Sequence, residues 1–214
     1  MQILLCAATE MEIASTIKFL RTKNLPVEVL ITGVGLPLAM YELTKKICQN
    51  KPQYLVQAGI AGCFSKHLFL GDVVVVKSDT TGDIGVQEKE GFHSVFDLGF
   101  ADKNKWPWVD GKLTNSRKDY RHIGLQTVDA VTVNEITTHP ARINYYTGQL
   151  QAAIETMEGA ALHYVGLMEN IPFVQIRSLS NYVGERDKTK WNLQSAITNL
   201  NTELQRYFEN YFMS

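Results

Sequence analysis

Two glutamates stand where the chain is predicted to leave a buried strand and enter a helix. Glu12 is the third helical residue after Thr9, in the sequence ATEMEI, and Glu158 lies in ETMEGAA at the start of another helix. A Glu at the third helical position completes a capping box with a Thr N-cap, and first-turn acids are stabilised by the helix dipole. The same backbone N–H groups also hold a carboxylate ready to take a proton from water. The local pattern leaves a structural and a functional role open for both residues.

Two glycine-containing segments follow the next two predicted strands. The segment GVGLPL at 33–38 begins like a dinucleotide-binding fingerprint but has Leu38 where the third glycine belongs, which argues against a nicotinamide cofactor. The segment AGIAGC at 58–63 is predicted to be a small-residue turn that leaves space and exposed amides beside the sheet. Only Lys66 and Arg21, at some remove, could hold a free phosphate near these turns, so hydrolysis is favoured over attack by phosphate.

An α/β scaffold is needed to bring these segments together. Short runs rich in Val, Ile and Leu predict buried strands at 2–8, 27–32, 53–59, 71–77, 122–128 and 172–178. Stretches with helical periodicity lie between or after them, at 10–21, 36–49, 157–170 and 190–212. The order predicts an α/β fold in which helices flank a central mixed, mostly parallel twisted sheet. No linker divides the chain, so residues 1–214 are expected to form a single domain, with ligands bound beyond the carboxyl ends of the strands.

Composition limits the kind of partner. The 214 residues include 21 basic and 22 acidic side chains, a net charge of −1, and so provide no field that would bind nucleic acid or an anionic membrane. We therefore expect a small-molecule partner. Three cysteines without CxxC spacing favour reduced thiols in the cytoplasm, and the N-terminal sequence predicts neither a signal peptide nor a spanning helix. The histidines lack metal-binding spacing and are expected to be structural or on the surface: His67, His93, His122, His139 and His163.

Residues 78–120 form the irregular part of the sequence. Scattered glycines and the sequence Trp106-Pro107-Trp108 are too irregular for a strand and helix and too aromatic for a plain solvated loop. We expect an insertion that covers the pocket. The alternative is a surface excursion that folds on its own aromatic side chains, and its apolar faces would then be available for a homodimer contact.

Several motifs, each at a strand end, occur together in one order. They are ATEMEI, AGIAG, LGDVVVV, IETMEGAALHYV and IPFVQIRSLSN, and they extend over nearly the whole chain. In this set the sequence resembles the superfamily of purine nucleoside phosphorylases and methylthioadenosine/S-adenosylhomocysteine nucleosidases. Within it, SNYVGERDKTKWNL at 180–193 is similar to the futalosine hydrolases. That resemblance implies hydrolysis of futalosine to hypoxanthine and dehypoxanthine futalosine by a cytoplasmic homodimer that needs no metal or redox cofactor.

The resemblance also assigns roles to individual residues. It places the water-activating glutamate at Glu12 and the ribose-binding Met-Glu pair at Met157 and Glu158, and it puts Ile60 in the substrate pocket. Adenine-specific nucleosidases have an aspartate after the RxxS motif, where this chain has Asn181. An Asn accepts a hydrogen bond from a protonated N7 and donates one to O6, so this departure favours a 6-oxopurine such as hypoxanthine.

A second departure concerns the residue that stacks on the purine. The nucleosidases have an aromatic residue after an Asp-Ala step, whereas Asp129-Ala130 is followed here by Val131, which is expected only to line the pocket. Phe64, Trp106 and Tyr182 are candidate substitutes for the missing ring, and Tyr182 is also assigned to the substrate site.

The benzoate of futalosine requires a cation or a set of backbone donors. Arg186, Lys188 and Lys190 are the candidates, although a charge run before a helix is also typical of a solvated surface. Alternative activities are a methylthioadenosine or aminodeoxyfutalosine nucleosidase and a phosphorylase of 6-oxopurine nucleosides. A purine-nucleoside sensor without catalytic activity is the alternative from another class.

Overall fold

The computed structural model describes residues 2–89, 91–117, 120 and 123–213. The strands are β1 (Ile3–Ala7), β2 (Val27–Ile31), β3 (Tyr54–Cys63), β4 (Val73–Asp79), β5 (Gly85–Gln87), β6 (Phe92–Ser94), β7 (Leu113–Thr114), β8 (Gln126–Thr132), β9 (Ile154–Thr156) and β10 (Phe173–Tyr182). The α-helices are α1 (Glu10–Thr22), α2 (Leu36–Gln49), α3 (Pro140–Gly148), α4 (Gly159–Met168) and α5 (Leu193–Met213). The predicted α/β fold is confirmed.

The main sheet is mixed and mostly parallel, as predicted. β1 pairs in parallel with β2 and β3, β3 pairs in parallel with β10, and β4 and β9 each pair in parallel with β8. β10 and β4 are antiparallel. β9 then returns antiparallel to the end of β3 through Gly62 and Cys63. The ends of β3, β9 and β10 therefore lie together.

Helices cover both faces of the sheet. Successive residues of a strand point to opposite faces, so each strand contributes side chains to both layers. Ile3 and Leu5 of β1 belong to the apolar cluster that includes residues of α1 and α5. Leu4 and Cys6 belong to the cluster formed with α2 and α4. The continuous apolar run at 2–8 is thus explained by burial on both sides.

Several elements differ in extent from their prediction, and β3 and β8 are among them. The segment AGIAGC at 58–63 is the second half of β3, because it pairs with β10 and β9. β8 starts at Gln126 rather than at residue 122; Ile123 and Leu125 are apolar because they pack against the α1 and α5 cluster from outside the strand. His122, the first residue of the predicted strand, lies outside the described residues.

Sequence periodicity did not indicate α3 or β9. β9 is three residues long, and its pairing with β8 and β3 takes the chain across the sheet before α4 begins. α4 consequently starts at Gly159, two residues later than predicted, and leaves Met157 and Glu158 in the connection.

We expected residues 78–120 to cover the pocket, but the described residues of this segment do not belong to the lining of the cavity that opens where β1, β3, β9 and β10 end. The segment includes the β5–β6 hairpin, and Trp108 packs between Phe96 and Tyr164 with ring centroids 5.2 Å and 6.2 Å away. The aromatic side chains of the segment pack partly on one another and partly on α3 and α4, so the alternative interpretation also holds only in part. No helix in the described part of the chain is long and apolar enough to cross a membrane.

Candidate active site

A cavity of about 240 Å³ opens where β1, β3, β9 and β10 end. Its charged side chains, among the described residues, are all carboxylates: Glu12, Glu155 and Glu158. Its other lining residues are Ala8, Thr9, Met11, Val34, Ile60, Ala61, Gly62, Ile136, Thr156, Met157, Ser180, Asn181 and Trp191. Most of the residues singled out from the sequence are therefore brought together at one end of the sheet.

The carboxylate of Glu12 joins the start of α1 to β3. One oxygen, Oε2, accepts hydrogen bonds from the backbone N–H of Thr9 at 3.0 Å and from its hydroxyl at 2.8 Å, which confirms the capping box. The other oxygen, Oε1, accepts from the N–H of Ile60 at 3.0 Å. These bonds fix the side chain at the cavity wall. Capping and a functional role are thus compatible in the same residue.

Glu158 occupies the N-cap position of α4, but its carboxylate does not cap that helix. Oε1 accepts from the N–H of Gly35 at 3.0 Å, and Oε2 lies 3.5 Å from Nη1 of Arg177. Gly35 adopts a φ of +102°, a conformation that favours glycine, and so presents its amide to the carboxylate. The turn at 33–38 therefore binds the carboxylate of Glu158 through a backbone amide.

Arg177 is the main site residue that the sequence analysis missed. Its side chain is 1% exposed, and its guanidinium also donates to the Gln57 side chain at 2.9 Å and to the Ile60 carbonyl at 3.4 Å. The signal was present: a charged residue inside the apolar run of β10 is stable only when it is paired. The expectation that only Lys66 and Arg21 could hold a phosphate near the glycine-containing segments did not consider Arg177, which β10 places beneath them and which is already paired.

Asn181 follows a break in the pairing of β10 with β3. The register shifts between Leu179 and Asn181, and Asn181 then lies opposite Gly62. Its Oδ1 accepts from the Ser180 hydroxyl at 2.8 Å, and its Nδ2 donates to the Tyr182 carbonyl at 3.2 Å. The amide is oriented by its neighbours while it lines the cavity.

Ile60 and Met157 line the cavity, but two other predicted contacts do not. Val131 is fully buried and packs with Tyr146 in a separate apolar cluster. Tyr182 is 37% exposed and donates from its hydroxyl to the Leu68 carbonyl at 3.1 Å. Successive residues of β10 point in opposite directions, so Tyr182 turns away from the cavity that Asn181 lines; among the described residues, none of β8 lines the cavity.

The candidates for a stacking ring are also placed elsewhere. Phe64 packs edge-on against Tyr146 with ring centroids 6.1 Å apart, and Trp106 is 61% exposed. The aromatic side chain at the cavity is instead Trp191, just before α5. Its indole N–H donates to the Glu185 carbonyl at 3.1 Å.

The three basic residues before α5 differ in their contacts. Lys190 lies 2.7 Å from a carboxylate oxygen of Glu185. The guanidinium of Arg186 lies 5.8 Å from the centroid of the Trp191 ring. Arg186 thus lies near an aromatic side chain that lines the cavity. Lys188 is exposed in the short 3₁₀ turn Lys188–Lys190.

Buried polar groups support the start of α4 from below. The Thr132 hydroxyl donates to Asp79 Oδ1 at 2.8 Å and accepts from the N–H of Ala160 at 2.8 Å. Burial raises the pKa of Asp79 to about 7. Burial lowers the pKa of His163, in the same region, to about 4, and its Nδ1 lies 2.9 Å from the Leu113 carbonyl. His163 is a buried helix residue, as predicted.

The polar groups around the cavity come from separate elements of the fold. Glu12 and Glu158 provide two carboxylates positioned by backbone amides, Asn181 provides an oriented amide, and the guanidinium of Arg177 lies beneath them. No cluster of three or more His, Cys, Asp or Glu side chains suited to a metal ion occurs among the residues that the structure describes. The arrangement can activate a water molecule, stabilise positive charge and bind a heterocyclic base.

Curated proteins similar to this chain are named for two activities. The futalosine hydrolase of Thermus thermophilus is 27% identical over 180 residues, which cover 83% of this chain and 79% of that protein. The 5'-methylthioadenosine/S-adenosylhomocysteine nucleosidase of Maridesulfovibrio salexigens is 26% identical over 179 residues, which cover 77% of this chain and 72% of that protein. The relatives thus support a nucleosidase without deciding its substrate.

Solved structures and a family model agree with the fold. The nucleosidase of Colwellia psychrerythraea, solved with adenine, has a TM-score of 0.81 at 20% identity and covers 97% of this chain and 94% of its own. The futalosine hydrolase of Helicobacter pylori has a TM-score of 0.78 at 15% identity, with coverages of 99% and 98%. The family model described as the phosphorylase superfamily matches residues 7–210. Together with the sheet and the strand-end site, this match shows that the chain belongs to the phosphorylase superfamily.

Proposed function

We propose that the chain hydrolyses the N-glycosidic bond of futalosine and releases hypoxanthine and dehypoxanthine futalosine. The observation that carries the proposal is the presence of Glu12, Glu158 and Asn181 around a single cavity. The curated futalosine hydrolases similar to this chain support the choice of substrate.

In the proposed reaction, the oxygen of a water molecule forms a bond to C1′ of the ribose while the C1′–N9 bond breaks. The bonding electron pair leaves with the base, and the proton of the water passes to the carboxylate of Glu12. Positive charge develops on the sugar, so negative Glu158, accepting hydrogen bonds from the ribose hydroxyls, stabilises the transition state. A proton from solvent reaches N7 as the C1′–N9 bond breaks, so the base leaves as neutral hypoxanthine. Asn181 donates to O6 of this base and accepts from its N7–H.

The residues around this cavity favour water over phosphate as the nucleophile. Its described lining contains no Lys or Arg, and the guanidinium of Arg177 beneath it is occupied by Glu158, Gln57 and the Ile60 carbonyl. A phosphate would have to approach carboxylates without a free cation to bind it. Hydrolysis is therefore proposed rather than phosphorolysis.

The second candidate is a methylthioadenosine/S-adenosylhomocysteine nucleosidase. It is favoured by the curated nucleosidases of that name and by apolar side chains at the cavity, Met11 and Val34, which suit an alkylthio group. The two candidates differ in the base, since the second releases a 6-aminopurine.

We also propose that the chain forms a homodimer and works in the cytoplasm. Sedimentation of the purified chain tests the first point, and localisation in cells tests the second.

Product analysis tests the function directly. The purified chain is incubated with futalosine, aminodeoxyfutalosine, methylthioadenosine and inosine, with and without phosphate, and the released base is identified by mass. We expect hypoxanthine from futalosine without phosphate. A requirement for phosphate would identify a phosphorylase, adenine as the main product would identify the second candidate, and tight binding without cleavage would identify a sensor.

Glu12→Gln tests the general base in the same assay. We expect nucleoside binding to persist while turnover falls about 10²–10⁴-fold, the usual contribution of a positioned base. Glu10→Gln is the matched control, because Glu10 is an exposed acid in the same first turn. Similar turnover in the two variants would remove Glu12 from the mechanism.

A further inference from the structure

Glu155 is a buried acid at the cavity to which the proposed mechanism gives no role. It lies in the middle of β9, is 6% exposed and lines the cavity. Its Oε1 accepts from the backbone N–H of Thr137 at 3.2 Å. Its Oε2 is buried and has no hydrogen-bond partner among the residues that the structure describes.

A buried carboxyl oxygen without a partner is costly, and such groups in proteins are nearly always satisfied. Valine or threonine at this position would pair in β9 without that cost, because sheet pairing uses only the backbone. A donor from a bound ligand would satisfy Oε2. The position thus indicates a ligand group with an N–H or O–H directed at this wall.

The pairing of the strands places Glu155 beside Asn181. Gly62 lies opposite Glu155 in the β3–β9 pair and opposite Asn181 in the β3–β10 pair. A Cβ on Gly62 would be 3.7 Å from Nδ2 of Asn181 and 3.8 Å from Cβ of Glu155. Cγ2 of Val183 would lie only 2.9 Å from that Cβ, so a side chain has little room at position 62, and the two polar side chains both line the cavity beside this glycine.

Positions along β3 separate the end of the cavity near Gly62 from the end where Glu12 is proposed to activate water. Ile60, whose N–H binds Glu12, precedes Gly62 by two residues on β3, a distance of about 7 Å along an extended chain. That spacing suits a nucleoside with C1′ near Glu12 and its base near Gly62. Glu155 then faces the base and not the sugar.

A 6-oxopurine carries a hydrogen on N1, whereas N1 of a 6-aminopurine is an unprotonated acceptor. We propose that Glu155 is a specificity-determining residue that accepts a hydrogen bond from N1–H of the purine, while Asn181 binds the O6 and N7 side. The inference rests on the proposed nucleosidase function. It adds a second contact that rejects adenine, because a carboxylate would face a lone pair there.

The free bases provide a test that does not depend on turnover. Dissociation constants of hypoxanthine, 1-methylhypoxanthine and adenine are measured by calorimetry at pH 8 for the wild-type chain and for Glu155→Gln. A hydrogen bond to a charged group predicts that the wild type prefers hypoxanthine over each of the other two bases by about 10–100-fold. Glu155→Gln keeps the size of the side chain and an acceptor for Thr137, and its amide can donate to N1 of adenine. We expect its preference for hypoxanthine over adenine to fall at least about tenfold.

Glu135→Gln is the matched control, since Glu135 is an exposed acid nearby that does not line the cavity. An unchanged preference in Glu155→Gln would overturn the inference. So would equal binding of hypoxanthine and 1-methylhypoxanthine by the wild type, a result that needs no variant to fold. Failure of the wild type to bind hypoxanthine would also overturn it.

The inference and the proposed function fail in different ways. If no nucleoside is cleaved but Glu155→Gln changes base preference, the proposed function is wrong and the base contact stands. If futalosine is cleaved and the base preference of Glu155→Gln matches that of the wild type, only the inference is wrong.

Discussion

The ion pair between Arg177 and Glu158 offers the sharpest test of how this site is built. Both side chains are buried, and Nη1 of Arg177 lies 3.5 Å from Oε2 of Glu158. Arg177→Met removes the charge and keeps an unbranched side chain of similar reach. The Glu158 carboxylate then stays buried with the Gly35 amide as its hydrogen-bond donor, and Gln57 loses the donor to its side-chain oxygen.

The magnitude follows from the distance and the burial. Two unit charges 3.5 Å apart attract by about 5 kcal/mol at an effective dielectric constant of about 20. Measured costs of breaking a buried pair by removing one partner are about 3–5 kcal/mol, because the other charge remains without compensation. We expect Arg177→Met to lower the free energy of unfolding by that amount. Removing both charges, with Arg177→Met and Glu158→Gln together, should cost about 1–3 kcal/mol less than the sum of the single changes.

Urea unfolding followed by circular dichroism at pH 7 measures all four proteins in this cycle. The wild type, the two single variants and the double variant give the coupling free energy directly. A loss below about 1 kcal/mol for Arg177→Met, the range of an exposed pair, would refute the reasoning. Additive costs in the double variant would show that the two charges are not coupled.

Three further predictions concern residues around the pair. Gly59→Ala should lower kcat about 10²-fold, because the new Cβ would lie 2.5 Å from Arg177 Nη1 and 2.9 Å from Glu12 Oε1 and would displace both side chains. Gly148→Ala is the control, because open space surrounds that position. Equal kcat values for the two variants would contradict the prediction. Asp79→Asn tests a pH effect. Burial raises the pKa of the Asp79 carboxyl in the folded protein to about 7, from 3.8. Between these pH values the folded state keeps a proton that the unfolded state has lost, so the free energy of unfolding of the wild type falls as the pH rises. Asp79→Asn should lack this contribution to the pH dependence of the free energy of unfolding, measured by urea unfolding at several pH values. An identical pH dependence in the variant and the wild type would contradict the assignment. Asn181→Asp should shift the ratio of kcat/KM values from 6-oxo towards 6-aminopurine nucleosides, and an unchanged ratio would show that the base is recognised elsewhere.

The sequence by itself determined the scaffold and the main site residues. Apolar runs and helical periodicity report which faces are buried, and they located β1, β10, α1 and α2 to within a few residues. Because ligands of α/β sheets bind at strand ends, the positions of Glu12 and Glu158 made them candidates, and the resemblance in motif order assigned roles to them and to Asn181.

Only the tertiary structure decided which side chains face one another. Arg177 and Glu158 belong to different elements, and the pairing of β10 with β3 brings their charges together. Glu155 reaches the cavity because the short strand β9 returns to β3, and three residues carry too little periodicity to reveal that. Val131 was misplaced because local sequence does not show which strands reach the cavity, and none of the described residues of β8 lines it. Contacts between residues distant in sequence depend on strand register, and register is set by packing across the whole sheet rather than by local sequence.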